Sequence, residues 1–132
     1  MIGTLLQDWV TIRGDSGAGS PRVTSIAQSA ESWLDLGDFE DLVFFLDVRE
    51  FTNASLKLGY ETSPIKQDGS FLPMVGPFLI AAGQRVDRAF SSMCAVPPAR
   101  YVRWRLSGPS ASGVFDVTFR VWVATYAWRK AL

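Results

Sequence analysis

Four carboxylates around one predicted turn are the residues best placed for acid–base chemistry in this 132-residue chain: Asp35, Asp38, Glu40 and Asp41. A pair of carboxylates can act as acid and base in glycoside hydrolysis, and such a cluster can also bind calcium. Turns collect acidic residues for a simpler reason, because the aspartate side chain hydrogen-bonds its own backbone. Since no EF-hand spacing is present, the cluster favours a solvated turn over a catalytic or metal site.

Histidine is absent from the chain, and cysteine occurs once. Within this chain, the lack of histidine excludes a Ser-His-Asp triad, a Cys-His pair and most catalytic zinc sites. Cys94 has Met93 and Ala95 as neighbours and lacks the cationic neighbour that a reactive thiolate needs, so we interpret it as a small buried hydrophobic residue. We therefore predict that the chain is not an enzyme and has no cofactor and no metal site.

Arginine and aromatic residues in the last two predicted strands indicate a binding surface instead. If these strands form a hairpin, alternate residues share its outer face, and the same parity continues beyond the second strand. Arginine beside exposed aromatic rings is typical of protein–protein hot spots, and the same combination stacks on sugar rings or bases. A second layer of protein covering this face is the alternative. The candidate partner-binding residues are Tyr101, Arg103, Arg105, Arg120, Trp122, Tyr126 and Trp128.

The elements that must position these residues are β-strands, because apolar and polar residues alternate through most of the chain. Glycine-, serine- and proline-rich turns separate the alternating runs. The pattern predicts an all-β fold, a two-sheet antiparallel sandwich of jelly-roll type with about eight strands. The whole chain, 1–132, reads as a single domain, in which residues 1–20 form a candidate N-terminal arm and flexible loop. The predicted strands span 4–13, 22–28, 30–35, 41–50, 54–62, 70–75, 86–93, and the pair 100–107 and 114–125.

The composition of the chain indicates which classes of partner are not expected. Basic and acidic residues both number 13, so the net charge is zero and we expect no attraction to nucleic acid or to an anionic membrane. The longest strongly apolar run, residues 42–46, is far shorter than the roughly 20 residues of a membrane helix. The first residues lack the basic start and apolar stretch of a signal peptide. These features predict a protein made in the cytoplasm.

Several strands occur in a familiar order. The run 42–48 leads into 54–64, which reads ASLKLGYETSP, and the run 99–106, which reads ARYVRWRL, precedes a final FDVTF strand at 115–119. Over residues 40–123 this resembles small β-sandwich proteins found among the structural genes of phages and phage-derived particles. It also looks like the galactose-binding-like sandwiches of carbohydrate-binding modules. Neither resemblance implies catalytic residues.

These observations lead to a non-enzymatic structural or accessory protein of a phage-like particle, such as a capsid decoration or cement protein. It is expected to bind a capsid or shell protein through the arginine–aromatic face and through its apolar chain ends. A homo-oligomer, with a trimer favoured, would multiply weak contacts. The expected location is the virion or particle surface, after synthesis in the host cytoplasm. The alternative is a carbohydrate-binding module in which exposed tryptophan and tyrosine residues contact a glycan.

Overall fold

The computed structural model describes residues 2–15, 25–37, 39–52, 55–108 and 114–128. They form nine strands and two short 3₁₀ helices, Ala30–Ser32 and Asp68–Ser70. No helix in these segments has the length and apolar character of a membrane span. The strands are β1 (Ile2–Asp15), β2 (Ser25–Ala27), β3 (Leu34–Asp35), β4 (Phe39–Thr52), β5 (Lys57–Ser63), β6 (Leu72–Leu79), β7 (Gly83–Ala89), β8 (Tyr101–Ser107) and β9 (Val114–Trp128).

The strands pair in two antiparallel sheets. The four-stranded sheet has the order β1-β9-β4-β7, and the five-stranded sheet has the order β2-β8-β5-β6, with β3 also paired to β8. Both β2 and β3 pair with β8, so they act as one strand that a 3₁₀ helix interrupts. Counted in this way, eight strands are divided between the two sheets in the jelly-roll order, and only β5 and β6 are consecutive strands of the same sheet. The predicted all-β sandwich is confirmed.

Two connections differ from the sequence-based expectation. The turn residues at 107–113 and at 52–54 each predict a hairpin between the flanking strands, β8 with β9 and β4 with β5. In the structure β8 and β5 belong to the five-stranded sheet, whereas β9 and β4 belong to the four-stranded sheet. The alternating pattern only shows that one face of a strand is buried, and this holds equally for hairpin partners and for strands in facing sheets. The choice of neighbour is therefore left open by the pattern.

The first strand belongs to the sandwich. β1 pairs with β9 from Ile2 to Asp15, with irregular register between Leu5 and Val10. Leu6 is buried in the core. In this structure the first strand thus lies within a sheet and does not stand apart as an arm.

The core fills the gap between the sheets. Phe44 of the four-stranded sheet stacks on Tyr60 of the five-stranded sheet, with centroids 3.8 Å apart and planes 4° from parallel. Trp104 meets Phe119 edge to face at 5.1 Å. The alternation predicts that the apolar residues of four runs face the core, and each of them is buried: Leu42, Phe44, Leu46, Val48, Leu56, Leu58, Tyr60, Val102, Trp104, Leu106, Phe115, Val117, Phe119 and Val121.

The burial of Tyr60 in this stack can be tested by removing its hydroxyl group. It is buried and makes no hydrogen bond with the described residues, and burial raises the pKa of this phenol. An unsatisfied buried hydroxyl costs free energy because it has lost its water partners. We expect Tyr60→Phe to increase the free energy of unfolding by about 1 kcal/mol, measured by urea denaturation. Tyr101→Phe, at a half-buried position on the outer surface, is the control and should have little effect. A destabilised Tyr60→Phe variant would contradict this account.

Candidate protein-binding site

The structure divides the predicted binding residues between two surfaces. Tyr101, Arg103 and Arg105 lie on β8, on the outer face of the five-stranded sheet, whereas Arg120 and Trp122 lie on β9, on the outer face of the four-stranded sheet. The outer faces of a sandwich point away from each other, so the single shared face predicted from the sequence is wrong. Its premise was the hairpin of β8 and β9, which does not form. The side chains of Tyr126 and Trp128 lie outside the described part of the chain.

Arg103 is an internal residue. Its side chain is only 1% exposed, because the segment after β5 folds back over it. The guanidinium carbon lies 4.0 Å from the centroid of the Phe71 ring and 5.3 Å from that of Trp33. The Nη1 atom donates a hydrogen bond to Asp68 in the second 3₁₀ helix. Arg103 therefore follows the alternative in which a second layer of protein covers the predicted face, and here the domain itself provides that layer.

Glu61 connects the two arginines beneath this cover. One carboxylate oxygen accepts a hydrogen bond from Arg103 Nε at 2.9 Å, and the other accepts one from Arg105 Nε at 3.0 Å. Arg105 also donates to the Ser25 hydroxyl. A buried guanidinium is tolerated only when carboxylates compensate its charge. This network therefore fastens the 3₁₀ segment to the sheet and leaves little of Arg103 for a partner.

The outer face of the four-stranded sheet is open and carries a continuous line of apolar side chains. The register places Leu5 beside Trp122, Trp122 beside Phe45, and Phe45 beside Val86. One side chain from each of the four strands thus forms a transverse band, which we call the apolar row. Its members are between 38% and 52% exposed, although each is large and hydrophobic.

An arginine cluster borders the apolar row. The guanidinium groups of Arg49 and Arg120 lie 4.3 and 4.6 Å from the centroid of the Trp9 ring. Arg120 also pairs with Asp47 at 3.3 Å, while its buried Nε atom makes no hydrogen bond with the described residues. Cation–π attraction to tryptophan holds both guanidinium groups in place, and Arg49 is exposed at the surface. The cluster and the apolar row together form one amphipathic surface.

The shape of this surface suits a broad partner better than an enclosed small molecule. The groove between the row and the cluster has a volume of about 110 Å³ and is lined by Phe45, Asp47, Gln84, Val86, Arg120 and Trp122, among others. Pockets that enclose drug-sized ligands usually span about 300–1,000 Å³. The groove is therefore a shallow depression on a flat sheet.

The groups considered for catalysis or metal binding have structural partners. Asp35 accepts hydrogen bonds from the backbone of Gly37 and from Arg100, and the Arg100 bond holds the pKa of Asp35 below its usual range. Asp41 accepts from the backbone of Ser91, and Asp38 lies outside the described residues. Burial raises the pKa of the half-buried Cys94 thiol. Within the described segments, no three His, Cys, Asp or Glu residues are grouped to hold a metal ion.

Sequence reasoning missed most of the apolar row. Leu5, Phe45 and Val86 lie on three different strands, and only the tertiary pairing brings them beside Trp122. One signal was present in the run 42–46, where every residue is apolar. A strand with one wet face should alternate, so Phe45 was already an unexplained outward hydrophobic residue.

Comparisons with known proteins give two distant structural likenesses. No family model matches the chain, and no curated protein matches it. Among solved structures, it is similar to a crystal structure of FlhE, with a TM-score of 0.48, 12% identity, and coverage of 97% of this chain and 98% of that one. It is also similar to a chain from Bacillus endospore appendages, described as a novel family of disulfide-linked pili, with a TM-score of 0.37, 13% identity, and coverage of 96% and 93%. Likeness at this level carries no argument about function.

The burial of Arg103 predicts that its removal damages the fold. Arg103→Ala is expected to lower the free energy of unfolding by about 3 kcal/mol, because it leaves Glu61 buried with only one cation and opens a void under Phe71. Arg105→Ala is the matched control, since Arg105 pairs with the same carboxylate but is one-third exposed; its cost should be about 1 kcal/mol or less. Chemical denaturation measures both. Equal effects would contradict an internal role specific to Arg103.

Asp68 predicts a pH dependence. The hydrogen bond from Arg103 holds the pKa of Asp68 below its usual range. A carboxylate whose folded pKa is lower than its unfolded pKa, about 3.9, stabilises the fold above that pH, and the contribution disappears as the pH falls through the folded value. Asp68→Asn should therefore be less stable than the native chain near neutral pH and equally stable in strong acid. Melting curves across this range test the prediction, and a pH-independent difference would refute it.

Proposed function

We propose that this chain is a non-enzymatic structural protein that attaches to a protein surface through the outer face of its four-stranded sheet. The observation that carries the proposal is the apolar row, in which Leu5, Trp122, Phe45 and Val86 are exposed side by side across all four strands. Single exposed hydrophobic residues are normal on soluble proteins, but a contiguous band bordered by polar groups is typical of an interaction site. Tryptophan and arginine are also the residues most enriched at hot spots.

The exposed area of the apolar row is small, so one copy of the chain would bind weakly and several copies would have to bind together. Burying a whole side chain of this type contributes roughly 1.5–3 kcal/mol. Because each side chain in the row exposes only about two-fifths to one-half of its surface, complete burial of the row supplies roughly 4 kcal/mol. Association itself costs about 4–15 kcal/mol, so one copy gains little by itself. A protein with this surface binds well when many copies are held on a lattice or when copies are joined to each other.

The charges around the apolar row indicate which charges a complementary partner surface would carry. Arg49 and Arg120 lie on one side, Arg88 is exposed on β7 beside Val43, and Asp47 is already paired with Arg120. A matching partner has an apolar ridge with carboxylates near it, because unpaired carboxylates would meet the guanidinium groups. A shell protein of a phage-like particle is our specific candidate. In this proposal the chain is a decoration or cement protein at the particle surface that also associates with itself.

Carbohydrate binding is the second candidate, and one observation favours it. The groove next to Trp122 also contains Asp47 and Gln84. A flat indole ring with neighbouring carboxylate and amide groups can stack on a sugar and accept or donate hydrogen bonds to its hydroxyl groups. This reading requires no self-association, and it predicts a change in tryptophan fluorescence when glycans are added.

Site-specific photo-crosslinking tests the proposal. The photoreactive residue benzoyl-phenylalanine replaces Trp122 in one variant and Leu72 in the control, because Leu72 is exposed on the other sheet. The variants are expressed in the cells that produce the protein, irradiated, and analysed by mass spectrometry. We expect position 122 to crosslink to a particle shell protein and position 72 to give none of this product. Equal yields at both positions, or no protein product at 122, would contradict the proposal; a glycan-dependent fluorescence change in the native chain would then support the second candidate.

A further inference from the structure

The four edges of the two sheets are not equally protected. A sheet edge displays unpaired backbone groups and invites another strand, so soluble proteins shorten, interrupt or charge their edges. On one side of the five-stranded sheet, β2 and β3 have three and two residues and are separated by a 3₁₀ helix. On the other side, β6 contains Pro73 and Pro77, which lack an N–H donor. Both edges are therefore poor templates for a further strand.

The edges of the four-stranded sheet differ from each other. β7 has seven residues, and its charged residues Arg85 and Asp87 oppose Leu46 and Phe44, so they face the gap between the sheets. Inward-pointing charges of this kind protect an edge. β1, by contrast, has 14 residues and no proline, and among the described residues its only strand neighbour is β9. β1 is thus the longest of the four edges, and in its second half the described strand has no proline, no interruption and no charge opposite a core residue of β9.

The regular part of β1 is its second half. Register shifts are confined to the stretch from Leu5 to Val10, where the Leu6 carbonyl accepts a hydrogen bond from the Gln28 side chain. From Val10 onward, inward-facing and outward-facing residues alternate along the strand without interruption. Val10 and Ile12 oppose core residues of β9, whereas Thr11 and Arg13 oppose Thr118 and Asp116 on the outer face. This segment has the geometry that a further antiparallel strand requires.

We propose that this edge pairs with β1 of a second copy of the same chain, antiparallel and centred on Thr11. Residues on opposed antiparallel strands share a face, so a two-fold axis at Thr11 sets Val10 opposite Ile12 of the second copy. The same register sets Arg13 opposite Trp9 of the other strand, next to Asp8 in the irregular stretch. Asp8 and Arg13 are both exposed on β1, so each Arg13 lies diagonally across from Asp8 of the other copy, and this contact between opposite charges occurs twice across the axis. This attraction between opposite charges favours the register centred on Thr11. A register centred on Arg13 is disfavoured, because it would set the two Arg13 side chains opposite each other.

The pairing has a consequence that goes beyond the proposed attachment function. It joins two four-stranded sheets into one eight-stranded sheet, β7-β4-β9-β1 followed by the same strands in reverse. A two-fold axis perpendicular to the sheet keeps both outer faces on the same side. The two apolar rows therefore lie on one surface, and a dimer presents twice the contact of a single copy to the same partner.

The association is measured on the purified chain alone, by light scattering after size exclusion across a dilution series. We expect twice the chain mass of 14.6 kDa, with dissociation on dilution. Arg13→Asp places an acidic group diagonally across from Asp8 of the other copy and should weaken the dimer roughly tenfold, because the altered contact occurs twice. The exchange variant Asp8→Arg/Arg13→Asp should restore it. A monomer at all concentrations, a trimer, or a dimer insensitive to both variants would overturn the proposal.

Hydrogen–deuterium exchange locates the contact and controls for misfolding of the variants. In the native chain, those amides of residues 10–13 that point away from β9 should become protected as the concentration rises, while amides of the opposite edge, β7, should not change. Concentration-independent exchange at residues 10–13 in a dimeric sample would assign the dimer to another surface and reject the pairing. Because these experiments contain no other protein, they can fail while crosslinking at position 122 succeeds, and the reverse is equally possible.

Discussion

Phe44 from the four-stranded sheet lies flat on Tyr60 from the five-stranded sheet, and Trp104 meets Phe119 across the same gap. The strands of one sheet do not pair with those of the other, so the sandwich depends on aromatic and aliphatic packing between the inner faces. One side of most strands is apolar and lies in this gap. The other sides form two outer faces, which point away from each other and differ in composition.

One of those surfaces is closed by the chain itself. The segment with Phe71 and Asp68 covers Arg103, and Glu61 balances the two arginines of β8. Burying a guanidinium is expensive unless its hydrogen bonds and charge are satisfied. The network meets this requirement and anchors a long connection at the same time. Because the Arg103 side chain is covered and paired within the domain, little of it can contact a partner.

The other surface is left open, and its composition is the basis of the attachment that we propose. In that proposal the apolar row provides a contact of modest strength, and the arginines stacked on Trp9 favour a partner with negative charge. Weak, oriented contacts become useful when copies act together. The unprotected edge of β1 lies in the same sheet, so self-association through that edge and attachment through the face would reinforce one another without competing for the same atoms.

The sequence by itself determined the all-β class, the approximate strands and the buried core, because alternation with a period of two is a local property of each strand. It also pointed to arginine and aromatic residues as the material of a binding surface, and Arg120 and Trp122 do lie on the open face. Only the tertiary structure decided that β8 and β9 belong to different sheets, that Arg103 is covered, and that Leu5, Phe45 and Val86 line up beside Trp122. Strand pairing depends on contacts between residues distant in the chain, and an alternating pattern that satisfies one neighbour satisfies another equally well.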